Sequence, residues 1–366
     1  MKNNKPTIAF FGSSLVSAYW NGAATYYRGM IKYMHKLGYD ITFYEPDAFE
    51  RQQHIDLPNP EWARSVVYEN SQSAVRKALE DAQKADILIK ASGVGVFDLL
   101  VEKALPEIKK PHQTIIFWDV DAPATLNSVL TNPMNEFRDL IPQYDFIFTY
   151  GGGEPVVNAY KSLKAKQCIP IYNALDPETH HPVASEPEFQ CDLAFLGNRL
   201  PDREERVWEF FINVAEQMPV KHFLLGGNGW DTVKLPSNIN YLGHIYTYQH
   251  NAFNASPKII LNISRQSMAD YGFSPATRVF EAAGAGACII TDYWEGIDTF
   301  FKPTSEIWVA NNGEEVVSLL KLLDEEEARK TGDAALKKVL ADHTYAKRAS
   351  QVDQLLLGIT SFAANQ

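Results

Sequence analysis

Short continuous apolar runs alternate with amphipathic segments along most of the chain. Such runs, bounded by polar or turn-forming residues, are typical of strands buried on both faces of a parallel sheet. In the first half the runs predict strands at Thr7–Phe11, Asp40–Tyr44, Ile87–Lys90, Thr114–Trp118, Phe146–Thr149 and Cys168–Ile171. In the second half they predict strands at Leu193–Leu196, His222–Leu225, Ile239–Leu242, Lys258–Ile263, Cys288–Thr291 and Ile307–Val309.

The segments between these strands have the length and periodicity of helices. In the first half the predicted helices are Ala23–Leu37, Ala74–Lys84 and Glu154–Leu163. After Arg203, apolar residues recur at i, i+3, i+4 and i+7, which gives a helix one buried face. The residues of that face are Val207, Phe210, Phe211 and Val214. Val316, Val317, Leu320 and Leu323 predict another helix, and the tail from Glu325 is predicted to be helical.

A polar segment rich in Pro, His, Asp and Glu, residues 173–189, separates two halves of the same kind. We expect an α/β protein with two Rossmann-like domains that face each other across a cleft. The first covers residues 1–175 and the second 190–345, with 173–189 as a hinge linker and 346–366 as a helical tail. In open α/β sheets, ligands bind at the carboxyl ends of the strands.

Composition narrows the classes of function. The 366 residues carry a net charge of −11, so a general nucleic-acid binder, which would have a basic surface, is not expected. The chain starts without a leader-like apolar region and has no run long enough to cross a bilayer, so we expect a cytoplasmic protein with no integral membrane segment. Cys168, Cys191 and Cys288 lack metal or disulfide spacing and are predicted to be buried, reduced thiols. The sequence leaves the oligomeric state open.

The most informative segment runs from Tyr271 to Asp292, YGFSPATRVFEAAGAGACIITD. It predicts a turn, a helix starting near Thr277 that carries Arg278 and Glu281, and then a buried strand. A helix N-terminus and an arginine favour phosphate groups, and a carboxylate can accept hydrogen bonds from ribose hydroxyls. The segment therefore predicts a binding site for a ribose diphosphate, although Arg278 and Glu281 could also form a plain surface pair.

From Leu261 to Phe301 the chain resembles the C-terminal domain of GT-B-fold glycosyltransferases, especially the branch named after the spore-maturation protein CgeB. Three other segments resemble the same enzymes in the same order. They are NGAATYYRGMIKYMHKLGYDITFYEP, IYNALDPETHHPV and FLGNRLPDREERVWEF. The resemblance implies transfer of a sugar from a nucleotide diphosphate sugar to an unknown hydroxyl acceptor, without an obligatory metal or a further cofactor. It also implies that Arg278 contacts the diphosphate and that Glu281 contacts the ribose.

Two positions depart from the family pattern. Retaining enzymes of this topology usually carry two glutamates eight residues apart; Glu281 matches the second, but Phe273 stands at the place of the first. The hinge reads Asn-Ala where many of these enzymes have Asn-Gly. Whether the sugar keeps or inverts its anomeric configuration is therefore left open.

Polar residues and glycines at predicted strand ends complete the donor-site candidates. They are Gly197, Arg199, Arg203, Asn262, Arg265, Tyr271, Gly272 and Ser274. The turn that contains Arg199 and Arg203 also fits an ordinary capped helix.

In the first domain, Gly12, Ser13, Gly22 and Gly152 are predicted to form loops on the cleft side, with plain loops as the alternative. Asp119 and Asp121 follow a buried strand, and alternation would place both carboxylates on one side if the strand continued that far. Either could act as the general base for an acceptor hydroxyl, and either could instead cap a turn.

We expect no metal site. His180 and His181 are adjacent on the linker, so their side chains point apart, and a surface role is expected for them. The competing functions are a non-catalytic GT-B-like binding or structural protein and a nicotinamide-dependent oxidoreductase. The second lacks the GxGxxG turn that would follow the first strand.

Overall fold

A computed structural model describes the backbone of residues 5–19 and 21–363 and the side chains of 5–19 and 21–358. The chain divides into two compact units. One contains the residues up to Tyr172 together with the segment from Tyr345 onwards; the other contains Asn173–Thr344. The predicted linker 173–189 is thus counted with the second unit, and the predicted C-terminal tail with the first.

The described residues form thirteen strands. Those of the first unit are β1 (Thr7–Phe11), β2 (Asp40–Pro46), β3 (Arg64–Tyr68), β4 (Ile87–Ala91), β5 (Thr114–Asp119), β6 (Phe146–Thr149) and β7 (Cys168–Pro170). Those of the second unit are β8 (Leu193–Leu196), β9 (Phe223–Gly226), β10 (Ile239–Gly243), β11 (Ile259–Asn262), β12 (Ile289–Asp292) and β13 (Trp308–Ala310).

Helices connect the strands. In chain order they are α1 (Ala24–Lys36), α2 (Gln72–Ala82), α3 (Asp98–Ile108), α4 (Ala122–Thr131), α5 (Phe137–Leu140), α6 (Gly153–Ser162), α7 (Glu204–Val207), α8 (Asn213–Gln217), α9 (His250–Ala255), α10 (Gln266–Tyr271), α11 (Thr277–Gly284), α12 (Gly313–Leu322), α13 (Glu325–Asp342) and α14 (Tyr345–Ala363). A π-helical turn, Trp208–Ile212, joins α7 to α8, so the helix predicted after Arg203 is continuous in space but not regular.

Both sheets are parallel throughout. The first has the order β3-β2-β1-β4-β5-β6-β7 and the second β10-β9-β8-β11-β12-β13. Each of the predicted strands is present, with ends that shift by a residue or two. In each sheet the strand order reverses once, between β1 and β4 in the first and between β8 and β11 in the second. These switch points are where open α/β sheets leave a crevice for ligands.

The sequence pattern missed the strand and helices with weak apolar periodicity. β3 is an edge strand whose Arg64 and Val67 are exposed, so its pattern does not resemble that of a buried strand. α3 contains Pro106 and α4 has Pro123 in its first turn, which interrupt the helical signal. The parallel α/β class itself is confirmed.

The last helix, α14, packs on α1 and completes the first unit. Gly29 makes this contact close, because a Cβ there would lie 2.2 Å from the ring of Tyr345. Asp353 on α14 accepts hydrogen bonds from Lys5 and from the hydroxyl of Tyr39. The C-terminal segment is therefore a structural part of the unit that the N-terminus begins.

The three cysteines are free, and Cys168 and Cys288 are buried as predicted, while Cys191 is half-buried. Burial raises the pKa of each thiol to about 12. Among the described helices, none combines the length and the apolar character that a membrane crossing requires.

Candidate functional site

The switch point of the second sheet brings several predicted donor-site residues to one edge. β8 ends at Leu196 and leads into Gly197 and the turn before Arg203, while β11 ends at Asn262 and leads into Arg265. Because β8 and β11 are parallel neighbours, both loops leave from the same edge of the sheet.

Arg203 is half-buried beside the end of β8. Its Nη2 donates to the carbonyl of Asn198 at 2.6 Å, and its guanidinium lies 5.6 Å from the centroid of the Phe195 ring. Gly197 leaves room for it, since a Cβ there would lie 2.8 Å from Arg203 Nη2. The Nε of Arg203 is buried and has no hydrogen-bond partner in the part of the chain that the structure describes.

Three guanidinium groups act on one another at this edge. Burial, together with the positive charges of Arg265 and Arg278, lowers the pKa of Arg203 to about 10, against the opposing effect of Asp202 and Asp292. Arg265 donates from Nε to Asp202 at 2.8 Å, so one of the three charges is partly balanced. A cluster of this kind favours an anion.

The ends of β11 and β12 are joined by buried polar side chains. Asn262 donates to Thr291 Oγ1 at 3.0 Å. Ser264 donates from its backbone and from its hydroxyl to Asp292, which also pairs with Arg206 at 2.6 Å. Asn262 is therefore bound within the protein, and its predicted contact with a donor stays a prediction.

The turn before α11 is tightly held. Gly272 has φ +68°, and a Cβ there would lie 2.8 Å from Glu295 Cβ, so glycine suits both the backbone and the space. Ser274 is buried and donates to the carbonyl of Gly272 at 2.8 Å, while Tyr271 is half-buried at the end of α10. Ala276, at the N-cap, offers no side-chain acceptor, so no side chain caps the first N–H groups of α11.

Arg278, half-buried, and Glu281, buried, form an ion pair on α11. Arg278 Nη1 lies 3.1 Å from Glu281 Oε2, yet this nitrogen lacks a hydrogen bond of good geometry. Glu281 is 6% exposed. Burial by itself raises the pKa of this carboxyl, but Arg278, His180 and His250 outweigh it and lower the pKa to about 2. The pair is thus not the plain surface pair that the sequence also allowed.

His180 lies beside this pair, and the expected surface role for it is wrong. It is 3% exposed, and its Nε2 is 3.8 Å from Glu281 Oε1. His181 is exposed, so the two neighbouring side chains do point apart. His250, at the start of α9, stacks on His180 with 5.9 Å between ring centroids. Burial lowers the pKa of both imidazoles, that of His250 to about 3.

Arg199 is engaged elsewhere. Its Nη2 donates to Glu204 at 2.6 Å and its Nη1 to Thr232 at 3.3 Å. These contacts favour the structural alternative for Arg199, whose place in the donor site stays a prediction. Sequence reasoning did not assign a role to Arg206, which neutralises the buried Asp292 at the end of β12.

In the first unit, Asp119 is fully buried at the end of β5. Ser92, Thr125 and the backbone N–H of Asp121 donate to its Oδ1, and Tyr160 donates to its Oδ2 at 2.6 Å. The strand ends at this residue, so Asp121 does not continue the alternation but precedes α4, half-buried. The hydrogen bonds favour the turn-anchoring alternative for Asp119. A catalytic role for either aspartate stays a prediction.

The loop residues predicted for the first unit have different surroundings. Gly12 is required by packing, because a Cβ there would lie 2.3 Å from the Phe43 ring. Ser13 donates to Asn21 at 2.8 Å, and Gly152 takes φ +89° at the start of α6. Gly22 is exposed, with open space around it. Their ligand contacts stay predictions.

The glycosyl transferase-like family matches residues 203–354. The match contains Arg203, Arg265, Arg278 and Glu281, and it runs past the second unit into α14. No curated protein sequence matches the chain.

Solved structures of glycosyltransferases resemble the chain over almost its whole length. The sucrose-phosphate synthase of Thermosynechococcus elongatus is 13% identical, with a TM-score of 0.72 over 98% of this chain and 100% of its own. The Anabaena protein HepE, in complex with UDP-glucose, is 13% identical, with a TM-score of 0.69 over 97% and 100%. An α-glucosyltransferase in complex with UDP-glucose and DNA containing an abasic site is 14% identical, with a TM-score of 0.71 over 96% and 99%.

At these identities the likeness is one of fold. The chain has the α/β fold of GT-B glycosyltransferases, with two parallel sheets, as the sequence predicted. The finer resemblance to the CgeB branch stays a prediction.

Proposed function

We propose that this protein is a glycosyltransferase that takes a sugar from a nucleotide diphosphate sugar bound at the switch point of the second sheet. One observation carries the proposal. Two guanidinium nitrogens, Arg203 Nε and Arg278 Nη1, are buried there without a hydrogen bond of good geometry to any described residue, although Arg278 Nη1 is ion-paired with Glu281. Buried donors of this kind are costly when left unsatisfied, and a diphosphate supplies well-placed acceptors for these two nitrogens.

The diphosphate fits the surroundings in two further ways. The uncapped N-terminus of α11 presents backbone N–H groups beside Arg278. During transfer, negative charge grows on the leaving diphosphate, and fixed guanidinium groups stabilise that charge without reorganising. Glu281, held ionised, is placed one turn after Arg278 and accepts hydrogen bonds from the ribose in this proposal.

The acceptor is a hydroxyl compound of unknown identity. Asp119 has both oxygens bonded within the protein and is 0% exposed, so it offers an incoming hydroxyl no free oxygen. Asp121, half-buried before α4, is the better candidate for the general base. No Mg²⁺ or Mn²⁺ on the diphosphate is needed in this proposal, since arginines supply the positive charge.

The first experiment is a binding panel. UDP, ADP, GDP and their glucose conjugates are tested by thermal shift and calorimetry, with UDP-glucose first because it occurs in complexes with HepE and with the α-glucosyltransferase. We expect one nucleobase to stabilise the protein selectively, and the increment in melting temperature to survive EDTA. Stabilisation that requires added Mg²⁺ would contradict metal independence, and no stabilisation by any donor would contradict the site.

Arg278→Ala and Glu281→Ala test the assignment of residues, and Arg329→Ala is the matched control. Arg329 also pairs with a carboxylate on its own helix, but 3.8 Å away and 70% exposed. We expect the two site variants to lose at least about tenfold in donor affinity, which corresponds to ~1.4 kcal/mol, and the control to keep it. Wild-type affinity in both site variants would refute the assignment. Transfer or donor hydrolysis by the folded wild type separates an enzyme from a non-catalytic binding protein.

A further inference from the structure

Two imidazoles and a carboxylate meet inside the second unit. His180 Nε2 or Nδ1, a ring nitrogen of His250 and an oxygen of Glu281 lie within 4.8 Å of one another. We propose that His180, His250 and Glu281 bind a divalent transition-metal ion of the Zn²⁺ class. This inference does not rest on the proposed sugar transfer, and it concerns a different ion from the Mg²⁺ or Mn²⁺ that some diphosphate sites use.

The free ring nitrogens indicate a missing partner. Among the described residues, His180 Nε2 and His250 Nδ1 are both buried without a hydrogen bond, whereas buried polar atoms nearly always have one. The other nitrogen of His250, Nε2, lies 3.3 Å from the carbonyl of Ile245. A hydrogen bond from Nε2–H to this carbonyl leaves the lone pair on Nδ1, which is how metal-binding histidines are usually oriented.

The loop that carries His180 is built to hold it at this place. The carboxylate of Asp176 accepts hydrogen bonds from Glu178 N and Thr179 Oγ1, and its carbonyl accepts one from His180 N at 2.9 Å. Asn251, next to His250, bridges α9 to the loop: its amide donates to Thr179 O and accepts from His181 N. The two histidines are therefore positioned by the same polar connections.

The loop also packs closely on α11, the helix of Glu281. At Gly284 a Cβ would lie 2.3 Å from Leu175 and 3.2 Å from the carbonyl of His180. Small residues at this end of α11 thus bring the loop near enough for His180 to reach Glu281. The three residues come from a loop and two helices that are connected to one another, which favours a fixed site over a chance meeting.

The chemistry of the ligands selects the class of ion. Imidazole suits Zn²⁺, Co²⁺ and Ni²⁺, whereas Mg²⁺ prefers oxygen ligands. Ligands about 2.0–2.1 Å from a tetrahedral Zn²⁺ lie ~3.3 Å apart, so the widest present spacing has to close by ~1.5 Å. Rotation of the three side chains can bring their ligand atoms together by this much while the hydrogen bonds of the loop hold its backbone in place.

The neighbouring Arg278 is compatible with this arrangement. It faces Oε2 of Glu281, while His180 faces Oε1, so metal and guanidinium would hold opposite oxygens of one carboxylate. A charged partner on the second oxygen is common among metal-bound carboxylates. Arg278 is partly exposed, which weakens its repulsion of the ion. The competing occupant is a water molecule hydrogen-bonded to all three groups.

The test uses the full, untagged protein after removal of metal by a chelator and dialysis, with no nucleotide present. It is titrated calorimetrically with Zn²⁺ and, in parallel, with Co²⁺ while visible absorption is recorded. We expect one ion per chain and a higher melting temperature in its presence. His180→Gln and His250→Gln should each weaken binding by about 100-fold or more, and His181→Gln, the exposed neighbour, should leave it unchanged.

Zinc-edge X-ray absorption on the wild type gives the ligand set even where a histidine variant fails to fold. Two imidazoles and oxygen ligands support the site, and thiolate sulfur or oxygen alone refutes it. Absence of binding by the folded wild type, or equal affinity in folded His180→Gln and His250→Gln, would mean that the cluster holds only water. Because nucleotide is absent throughout, each of these results is independent of whether the donor site exists.

Discussion

At the scale of single residues, Asp119 combines complete burial with four hydrogen bonds from Ser92, Thr125, Tyr160 and the backbone of Asp121. Burial raises its pKa, although these donors act in the opposite direction. The carboxylate links the end of β5 to α4 and α6. The carboxylate of Asp119 therefore stabilises the folded state whether or not it takes part in catalysis.

Asp119→Asn should therefore lower the free energy of unfolding. An amide nitrogen would replace one of the oxygens that now accept, leaving a buried donor without a partner at a cost of about 1–3 kcal/mol. Asp121 is half-buried and bonds to Asp119 through its backbone N–H, which the substitution keeps, so Asp121→Asn should cost less than Asp119→Asn. Urea unfolding of both variants measures the difference. Equal stability of the two would contradict the anchoring role of Asp119.

Asp119→Asn and Asp121→Asn also distinguish an effect on stability from an effect on catalysis. If Asp121 is the general base, Asp121→Asn lowers kcat by about 100-fold or more while donor affinity stays at the wild-type value. Single-turnover transfer and calorimetry check the two quantities. Full turnover in Asp121→Asn would remove this residue from the mechanism.

Arg203 illustrates a conflict between stability and binding. Its half-buried guanidinium interacts unfavourably with the charges of two other arginines, and its pKa is lowered to about 10. Arg203→Met keeps much of the apolar stem and removes the charge. We expect the free protein to lose little stability or to gain ~0.5–1 kcal/mol, as often happens when a functional strain is relieved. Donor affinity should fall at least tenfold.

Denaturant unfolding and calorimetry measure the two effects of Arg203→Met on the same sample. Lys258→Met, which also removes a charge from the second unit but lies at the start of β11 rather than at its end, is the control for net charge. A large loss of stability with unchanged donor affinity would assign Arg203 to the fold alone.

At the scale of elements, α11 depends on its small residues. Gly284 contacts Leu175 and the carbonyl of His180, and Gly332 on α13 lies so close to Gly286 that a Cβ would be 2.2 Å from its carbonyl oxygen. The structure places a loop and a helix against the run of small residues from Ala282 to Gly286. The C-terminal end of α11 thus packs closely against both the loop of His180 and α13.

Gly284→Ala should push the loop of His180 away from α11 and destabilise the protein by about 1–3 kcal/mol, as over-packing does. Gly358→Ala, at an exposed position in α14, adds a methyl group that would meet no atom within 4 Å among the side chains the structure describes. Helix propensity predicts that it stabilises by ~0.5–1 kcal/mol. Thermal unfolding of the two variants provides the comparison. An unchanged melting temperature in Gly284→Ala would contradict this prediction and show that the loop moves away from α11 at little cost.

Most strands and helices could be predicted from the sequence, because buried strands and amphipathic helices have strong local patterns. The predicted α11 starts at Thr277 as observed, and the strands on either side match closely. The environment of His180 could not be predicted, since it is set by Asn251 and Gly284, far away in the chain. An adjacent pair of histidines gives no local sign of which side chain turns inward.

At the scale of the whole molecule, the chain leaves the first unit after Tyr172 and returns to it at Tyr345. Side chains of the returning helix α14 also bond to the backbone of the first unit: Arg348 donates to the carbonyl of Tyr172 and Gln351 to that of Pro170. The sequence predicts that the tail is helical, but not which unit it joins, because partner choice depends on the surface of α1.

Removal of residues 345–366 should weaken the first unit in particular. It exposes the side of α1 around Gly29 and deprives Lys5 and Tyr39 of Asp353. We expect differential scanning calorimetry or hydrogen exchange to show a lower stability for residues 5–172. Residues 173–344 should keep their protection.

Gly29→Ala, which intrudes on Tyr345, should have a weaker effect in the same unit without any truncation. Equal destabilisation of both units by either change would contradict the assignment of α14.

Because the chain leaves the first unit once and returns to it once, the second unit is encoded by one continuous segment of the gene. A single exchange of the codons for residues 173–344 replaces the whole candidate donor site, including both histidines of the proposed metal site. The first unit, by contrast, is encoded in two separate pieces and cannot be transplanted in one step. Recombination at the two ends of this segment can therefore replace the candidate donor site in one step, while the unit that carries Asp121 stays unchanged.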